Sequence, residues 1–387
     1  MKKKIIILGS TGSIGKTTIK LINQNKKKYS VKLLSTFKNT NLLYNQAKSL
    51  KVKNVIIFDR KELIKSKNKF KKNNINVFSN FNEANYIFKN KVDVTVCGIA
   101  GLAGLKPLIS SIEKSKSIAI ANKESIICGW PIIKKKIKKF NTKFIPIDSE
   151  HFSIWKLIQN IEHNQIDQIF LTASGGPFLN IKNSELKNIE PKYALKHPNW
   201  KMGKKITIDS ATMMNKVFEV IEASKIFNID IDKIKILIHP TSYIHAIVKF
   251  KNGTLKMLAH DTDMLIPIAN AINENFNYKN NFKYINLQKV NNLNFIKPNL
   301  EQFPSLKILK KFKNKNTKLE IILIAANDEL VNYYLKRKIN YSDIIKHLNK
   351  ILKMRLFREN IKKKQRTIED IFQIVDIVKS KIKKLVY

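Results

Sequence analysis

Residues 4–15 read KIIILGSTGSIG, an apolar run that leads straight into three glycines spaced three residues apart. Consecutive aliphatic side chains followed by glycine are typical of a buried strand that ends in a tight turn. A helical segment follows Gly15, so the pattern is strand, glycine loop, helix. Small residues let the backbone approach a pyrophosphate, and the amides at the helix start point towards the anion. The stretch therefore predicts a dinucleotide site, with a plain strand-to-helix turn as the alternative.

The alternation of short apolar runs with longer amphipathic stretches continues to about residue 148. Further strands are predicted at residues 31–36, 54–58, 75–78, 93–97, 118–121 and 144–147. Strands that alternate with helices in this way indicate a parallel sheet. We therefore expect residues 1–148 to form an α/β domain with a doubly wound, Rossmann-like parallel sheet.

The pattern changes near residue 149. Strands are predicted at residues 169–173, 206–208, 236–238, 244–250 and 254–259, with a hairpin turn at Asn252-Gly253. Residues 149–274 are therefore expected to form a central α+β catalytic domain. Residues 275–298, rich in Asn and Lys, suggest a linker. Apolar residues at every third or fourth position predict a C-terminal helical domain over residues 299–387.

The composition is strongly basic, with a formal net charge of +44 from 73 basic and 29 acidic residues. A nucleic-acid or anionic-membrane partner is one interpretation. The other is compositional drift, because Lys accompanies much Asn and Ile and is spread along the chain. We favour drift and expect neither a specific nucleic acid nor a membrane as partner. The two cysteines, Cys97 and Cys128, fit a reducing cytoplasm, and without an apolar run of about 18 residues we expect no transmembrane helix.

The residues after the second strand bear on the choice of cofactor. NAD sites usually carry an acidic residue there, whereas this chain has Phe37-Lys38-Asn39. A base and an amide suit a 2′-phosphate, so the sequence favours NADPH over NADH.

Two carboxylates, Asp148 and Glu150, follow the last strand of the first domain. Oxygen ligands of this kind suit a hard cation such as Mg²⁺ or Mn²⁺. The alternative is a helix N-terminus, with Asp148 or Ser149 as its cap and Glu150 in its first turn.

Residues 209–223 read DSATMMNKVFEVIEA and predict a helix capped by Asp209 or Ser210. On it Asn215, Lys216 and Glu219 share a face, which would suit a phosphate and a metal. A surface ion pair on an amphipathic helix is the alternative. A glycine loop at residues 171–178 offers Ser174 and backbone amides to an anion. The segment from His197 to Lys204 carries a Trp between Pro and Gly, as a ligand-covering flap would.

These motifs occur in an order that resembles the 1-deoxy-D-xylulose 5-phosphate reductoisomerase family. The motifs are GSTGSIG at 9–15, ANKES at 121–125, IDSEH at 147–151, TASGGPF at 172–178, HPNW at 197–200, DSATMMNK at 209–216, IHP at 238–240 and AANDE at 325–329. The resemblance implies an NADP-dependent oxidoreductase, usually a homodimer. Its reaction would be the isomerisation and reduction of 1-deoxy-D-xylulose 5-phosphate to 2-C-methyl-D-erythritol 4-phosphate, in the non-mevalonate route to isoprenoid precursors.

The resemblance also implies the roles of individual residues. NADPH would be bound by Thr11, Gly12, Ser13, Ile14, Lys38, Asn39, Asn122, Glu124 and Gly203. Divalent Mg²⁺ or Mn²⁺ would be bound by Asp148, Glu150 and Glu219, which with Lys123 form the catalytic set. The substrate's phosphate would be held by Ser174, Ser210, Asn215 and Lys216, and the rest of the substrate by Lys123, Ser149, Glu150, Glu219 and His197. Trp200 and Met202 would lie on the flap.

The chain departs from the family pattern in places, for example at Phe37, where a Gly is common, and at residues 260–264. Two rival functions remain. A semialdehyde dehydrogenase would need Cys97 or Cys128 as a nucleophile. A nucleic-acid-binding protein would explain the charge but neither the glycine loops nor the carboxylates.

Overall fold

The computed structural model describes residues 1–200, 202–273, 288–291, 293–312, 317–358 and 367–387. It separates into two compact units. In its described part, the first comprises residues 1–125, 131–152 and 263–273, and the second residues 126–130 and 153–262 together with the described residues from 288 onward. Most of the predicted linker at 275–298 lies outside the described residues. The three-part division of the chain stays a prediction.

The first unit is built on a parallel sheet of seven strands, as the sequence predicts. The strands are β1 (Lys3–Leu8), β2 (Tyr29–Thr36), β3 (Asn54–Ile57), β4 (Asn76–Phe78), β5 (Val92–Cys97), β6 (Ser115–Ile120) and β7 (Lys143–Pro146). Their order is β4-β3-β2-β1-β5-β6-β7, so the chain reverses its direction of winding between β1 and β5. Ligands of such sheets bind beyond the carboxyl ends of the strands at this reversal.

The second unit contains a four-stranded mixed sheet. Its strands are β8 (Ile166–Ala173), β9 (Ile234–Ile238), β10 (Ile244–Phe250) and β11 (Leu255–Ala259), in the order β11-β10-β8-β9. β8 and β9 are parallel, and β10 is antiparallel to both β8 and β11. β10 and β11 form the predicted hairpin, whose Gly253 has a φ of +84°. Ile169, Val220 and Val248 belong to the buried core between this sheet and the helix Met214–Phe227.

Helices complete both units. They are Ser13–Gln24, Thr40–Ser49, Arg60–Lys71, Phe81–Ala84, Leu105–Ile112, Lys123–Lys139, Ser149–Leu157, Asn183–Leu186, Pro191–Ala194, Lys204–Ala211, Met214–Phe227, Leu265–Ile272, Gln288–Asn291, Lys318–Leu335, Tyr341–Lys353, Arg355–Arg358 and Ile368–Val386. The C-terminal part of the chain is helical, as predicted. Among the described helices, none is both long enough and apolar enough to cross a bilayer.

The sequence misassigns one segment. Residues 206–208, predicted as a strand, belong to the helix Lys204–Ala211. The helix buries Thr207 and Ile208, and the Thr207 hydroxyl donates to the Gly203 carbonyl at 2.9 Å. Packing of this face outweighs the weak preference of β-branched residues for strands. The next helix consequently begins at Met214 and not at Asp209.

Candidate functional site

The glycine loop after β1 lies where the sheet reverses its winding. Gly9 has a φ of +81°, and a Cβ there would lie 2.9 Å from the backbone of Gly98, which follows β5. A Cβ on Gly15 would lie 2.4 Å from the Gly9 carbonyl oxygen and the Ser10 Cα. Both positions therefore need glycine for the helix Ser13–Gln24 to start this close to the strand ends.

The polar contacts of the loop are directed towards β2. The Gly9 amide donates to the Ser35 hydroxyl at 2.8 Å, and the Thr11 and Thr36 hydroxyls are 2.7 Å apart. Gly12 caps the helix with extended backbone and, among the described residues, no side-chain cap. The first turn of the helix contains no acidic side chain. This end of the helix therefore carries uncompensated positive dipole charge, as an anion site requires.

Lys38 and Asn39 follow β2 at the same edge of the sheet. Lys38 is largely exposed and lies 3.6 Å from the Asp59 carboxylate. The Asn39 side chain accepts the Leu42 amide at 3.1 Å and so caps the helix Thr40–Ser49. Phe37, the departure from the family pattern, is 62% exposed, and the Lys38 ammonium lies over its ring, 5.5 Å from the centroid.

Asn122 follows β6 and is buried. Its side chain accepts the Ser125 amide at 2.6 Å and donates to the Gly101 carbonyl at 2.7 Å. It therefore caps the helix Lys123–Lys139 and also fixes the loop after β5. Glu124 lies in the first turn of the same helix.

Asp148 lies at the centre of a buried polar cluster. One of its carboxylate oxygens contacts the Lys123 ammonium, and the other lies 3.0 Å from His151 Nδ1. Burial alone would raise the pKa of Asp148, but the Lys123 charge and the His151 hydrogen bond outweigh it and hold the pKa well below its usual value. Asp148 is therefore ionised at neutral pH.

Both interpretations of the carboxylates find support in this cluster. The Asp148 side chain accepts the Glu150 amide at 3.2 Å at the start of the helix Ser149–Leu157, as a cap would. The Glu150 carboxylate, one residue away, accepts the Ser149 hydroxyl. The cap and the paired carboxylates coexist because the helix start brings both side chains to the carboxyl end of β7. His151 is a member of the cluster that the sequence analysis missed, although its position three residues after Asp148 was a usable signal.

In the second unit His197 joins two of the predicted phosphate ligands. Its Nε2 lies 3.1 Å from the Ser174 hydroxyl and 3.0 Å from the Ser210 hydroxyl. Its Nδ1 accepts the backbone amides of Asn199 and Trp200, at 3.2 and 3.0 Å. Because Nδ1 is an acceptor, the proton of the neutral ring lies on Nε2 and points towards the two hydroxyls.

The imidazole of His197 is neutral at physiological pH. Burial lowers its pKa from 6.5 to about 4. The ring can therefore offer a hydrogen bond without bringing a charge into the site.

The segment around Trp200 is held against the residues that follow β9. The Asn199 side chain donates to the Pro240 carbonyl at 2.6 Å and to the Ser242 hydroxyl at 2.9 Å. The Trp200 ring meets the buried His245 ring edge-on, with centroids 6.1 Å apart. Met202 and Gly203 follow, and Gly203 caps the helix Lys204–Ala211. Asn199 was not singled out from the sequence, since a lone amide gives no signal.

Asn215, Lys216 and Glu219 share one face of the helix Met214–Phe227. The Asn215 amide donates to the Glu219 carboxylate at 2.5 Å, and the Lys216 ammonium contacts its other oxygen. The Lys216 and Glu219 side chains are 4% and 1% exposed, so this is a buried pair and not the surface pair that was the alternative. A half-buried amide together with a buried ammonium and carboxylate on one face are groups that suit a phosphate and a cation.

The thiols make poor nucleophiles. Cys97 and Cys128 are 3% and 0% exposed, and burial raises the pKa of Cys97 to about 12. A thiol in this state does not supply the thiolate that a semialdehyde dehydrogenase needs.

Models of known families match three stretches of the chain. The 1-deoxy-D-xylulose 5-phosphate reductoisomerase model matches residues 5–129, and the model of the C-terminal domain of that enzyme matches residues 144–227. A further model, the DXP reductoisomerase C-terminal domain, matches residues 260–381.

Individual relatives agree along the whole chain. The 1-deoxy-D-xylulose 5-phosphate reductoisomerase of Pelagibacter ubique is 49% identical over 98% of both chains, and that of a Thermoanaerobacter species 36% over 99% of both. A solved DOX-P reductoisomerase with NADPH, fosmidomycin and magnesium superimposes with a TM-score of 0.93 at 30% identity, covering 99% of this chain and 98% of the other. The Zymomonas mobilis enzyme with NADPH gives 0.86 at 29% identity, covering 100% and 98%. The chain therefore belongs to the 1-deoxy-D-xylulose 5-phosphate reductoisomerase family.

Proposed function

We propose that the protein converts 1-deoxy-D-xylulose 5-phosphate to 2-C-methyl-D-erythritol 4-phosphate, using NADPH and a divalent metal ion. The observation that carries the proposal is the polar set of the second unit. Neutral His197 lies between the Ser174 and Ser210 hydroxyls, and Lys216 is buried on the helix that begins four residues after Ser210. Hydroxyl, imidazole and ammonium donors together suit a phosphate monoester.

NADPH is assigned to the glycine loop of the first unit. Gly9 and Gly15 lie close to neighbouring backbone atoms, as in a loop that passes near a pyrophosphate. The dipole at the start of the helix Ser13–Gln24 would stabilise the pyrophosphate charge. The proposed contacts are Thr11, Gly12, Ser13, Ile14, Lys38, Asn39, Asn122, Glu124 and Gly203. Exposed Lys38 is the group that suits a 2′-phosphate. Bound NADPH would supply the hydride.

A divalent ion is assigned to Asp148, Glu150 and Glu219. The fit rests on the donor set, because carboxylate oxygens are the ligands that Mg²⁺ and Mn²⁺ prefer, and Asp148 is ionised at neutral pH. Such an ion would act as a Lewis acid on the substrate's carbonyl. We propose that either Mg²⁺ or Mn²⁺ serves.

The chain's own residues would orient the substrate and exclude water. Lys123 and Ser149, beside Asp148 and Glu150, would donate to the substrate's oxygens. The phosphate would be bound by Ser174, His197, Ser210, Asn215 and Lys216. Its binding energy would orient the reacting carbons. The segment with Trp200 and Met202 would cover the substrate. One carbon–carbon bond breaks and another forms, and the resulting aldehyde accepts hydride on carbon and a proton on oxygen.

We further propose that the protein works as a homodimer in the bacterial cytoplasm. The family resemblance and the bacterial sources of the related enzymes support this proposal. Light scattering after size exclusion should give a mass near twice the 44.8 kDa of one chain. A monomer that is fully active would contradict the dimer.

The first experiment is to follow NADPH oxidation with 1-deoxy-D-xylulose 5-phosphate, with and without added Mn²⁺ or Mg²⁺. Wild type should turn over only with metal, and Glu219→Gln should lose most activity, on the order of a hundredfold or more, while still binding NADPH. Glu162→Gln, the same change at an exposed position, is the control and should behave as wild type. Turnover without metal, or an active Glu219→Gln variant, would contradict the metal site.

A further inference from the structure

We propose that Ser305, Asn327 and Tyr341, which lie in the C-terminal part of the chain, are positioning residues for the phosphate-binding set. They hold the turn between the two helices that carry Ser210, Asn215 and Lys216. This inference rests on the proposed function, because it assumes that the set binds the substrate's phosphate.

Each of the three side chains makes one hydrogen bond to the turn at residues 209–213. The Asn327 amide donates to the Asp209 carboxylate at 2.7 Å, the Tyr341 hydroxyl to the Ala211 carbonyl at 2.8 Å, and the Ser305 hydroxyl to the Thr212 carbonyl at 2.5 Å. Asn327 and Ser305 are 0% exposed and Tyr341 is 8% exposed. These bonds therefore form where water does not compete.

The turn has a conformation that needs external support. The helix Lys204–Ala211 ends there, and the helix Met214–Phe227 begins after Met213, whose φ is +58°. A left-handed conformation costs a residue with a side chain roughly 1–2 kcal/mol. The last carbonyls of a helix also lack partners within it. Tyr341 and Ser305 provide partners for two consecutive carbonyls at this point.

The acidic residue of the turn is fixed from two sides. Asp209 is 1% exposed, and besides the Asn327 amide it contacts the Lys205 ammonium at 3.0 Å. Lys205 also contacts Asp328, the neighbour of Asn327, at 2.8 Å. Asn327 and Asp328 belong to the motif at 325–329, for which the proposed reaction gives no direct role.

The turn sets the distance between two parts of the phosphate-binding set, with Ser210 in one part and Asn215 and Lys216 in the other. Ser210 lies within it, on the same helix as Asp209, and Asn215 and Lys216 follow it. A shift of about 1 Å in the turn would displace Ser210 relative to Lys216, and bound geometry is sensitive to changes of that size. We therefore expect the three residues to control phosphate affinity without touching the substrate.

The test uses Tyr341→Phe and Ser305→Ala in the full chain, each of which removes only a hydroxyl. Isothermal titration calorimetry with inorganic phosphate measures binding to the set directly and does not depend on turnover. We expect the Kd of phosphate and the KM for substrate to rise together by about tenfold, with kcat within about threefold of wild type. The Kd of NADPH, measured by fluorescence, should not change.

The control is Tyr334→Phe, because the Tyr334 hydroxyl also donates to a carbonyl at 2.8 Å, that of Ile189. Tyr334→Phe should lower the melting temperature about as much as Tyr341→Phe but leave the Kd of phosphate unchanged. If phosphate binding is unchanged in folded Tyr341→Phe and Ser305→Ala, the positioning role is wrong and the bonds serve stability alone. If Tyr341→Phe does not fold, Ser305→Ala, the smaller deletion, decides.

The phosphate measurement also separates this inference from the proposed reaction. Weaker phosphate binding in the variants would support positioning even if wild type failed to oxidise NADPH. Turnover in wild type with normal phosphate binding in both variants would leave the reaction intact and refute positioning. If wild type binds no phosphate, both the phosphate-binding set and the positioning role are refuted.

Discussion

At the scale of single residues, the hydrogen bonds of His197 determine its state. Two backbone amides occupy Nδ1, so a neutral ring presents its proton to Ser174 and Ser210. Burial keeps the ring neutral by lowering its pKa to about 4. The same burial couples the stability of the fold to pH.

The pH dependence follows from the sign of this shift. The folded-state pKa of about 4 lies below the unfolded value of 6.5, so the unfolded chain binds more protons between these values. Stability is therefore lost as pH falls from above 6.5 towards 4. Between about pH 7.5 and 5 the free energy of unfolding of wild type should fall by about 1 kcal/mol more than that of His197→Gln, because solvent around the half-buried ring reduces the effect of the shift.

Urea unfolding at both pH values measures this difference. The other histidines are retained in His197→Gln, so their contributions cancel. Equal losses in wild type and variant would show that folding does not lower the pKa of His197.

A second residue-scale prediction concerns Gly15. Gly15→Ala should lower the free energy of unfolding by roughly 1–3 kcal/mol, because the added Cβ meets backbone atoms at 2.4 Å. It should also weaken NADPH binding about tenfold. Without a clash, alanine in a helix is about 1 kcal/mol more favourable than glycine. A decrease in the free energy of unfolding would therefore indicate the clash, and an increase would indicate helix propensity. Gly12→Ala is the control for unfolding, since its Cβ would meet the nearest atom at an ordinary 3.4 Å. A stabilised Gly15→Ala would refute the close approach.

At the scale of elements, a buried ion pair joins the helix Met214–Phe227 to the helix Lys318–Leu335. Lys225 and Glu320 are 2.9 Å apart, with side chains 1% and 2% exposed. Glu320 also accepts the Thr317 amide at 3.0 Å and completes a capping box at the start of its helix. The pair therefore fixes the helix of Lys216 and Glu219 against the C-terminal helices.

Lys225→Met should be strongly destabilising because it leaves the Glu320 carboxylate buried without its cation. We expect the free energy of unfolding to fall by about 3–5 kcal/mol, and the double variant with Glu320→Gln to recover at least half of that loss. Lys249→Met breaks an exposed pair with Asp167 at 2.8 Å and should cost less than about 1 kcal/mol. Similar losses in Lys225→Met and Lys249→Met would contradict the importance of burial.

At the scale of the whole molecule, the formal charge of +44 creates a field that attracts anions. Both the proposed substrate and NADPH are anionic. We expect kcat/KM to fall several-fold between about 20 and 500 mM NaCl, with kcat nearly constant, because salt screens the field over distances of about 10 Å or less. Repeating the titration with sodium gluconate excludes competition by chloride. A flat kcat/KM would indicate that the charge plays no part in substrate capture.

The sequence by itself determined the parallel sheet, the hairpin and the glycine loop, because these depend on local patterns. Apolar runs of strand length favour buried strands, and Asn-Gly and closely spaced glycines favour tight turns, wherever they occur. It also led to the prediction that Ser174, His197 and Lys216 bind the substrate. It failed at residues 206–208, where local preference and tertiary packing disagree.

Only the tertiary structure decided how these groups are held. Contacts between segments distant in the sequence bring the Ser174 and Ser210 hydroxyls to His197 and connect Ser305, Asn327 and Tyr341 to the turn. Packing of other elements buries Lys216 and Glu219, which are only three residues apart. Local patterns do not encode such contacts, because they depend on which faces pack together. Burial then changes the chemistry, since removing water keeps His197 neutral and turns an apparent surface ion pair into a buried one.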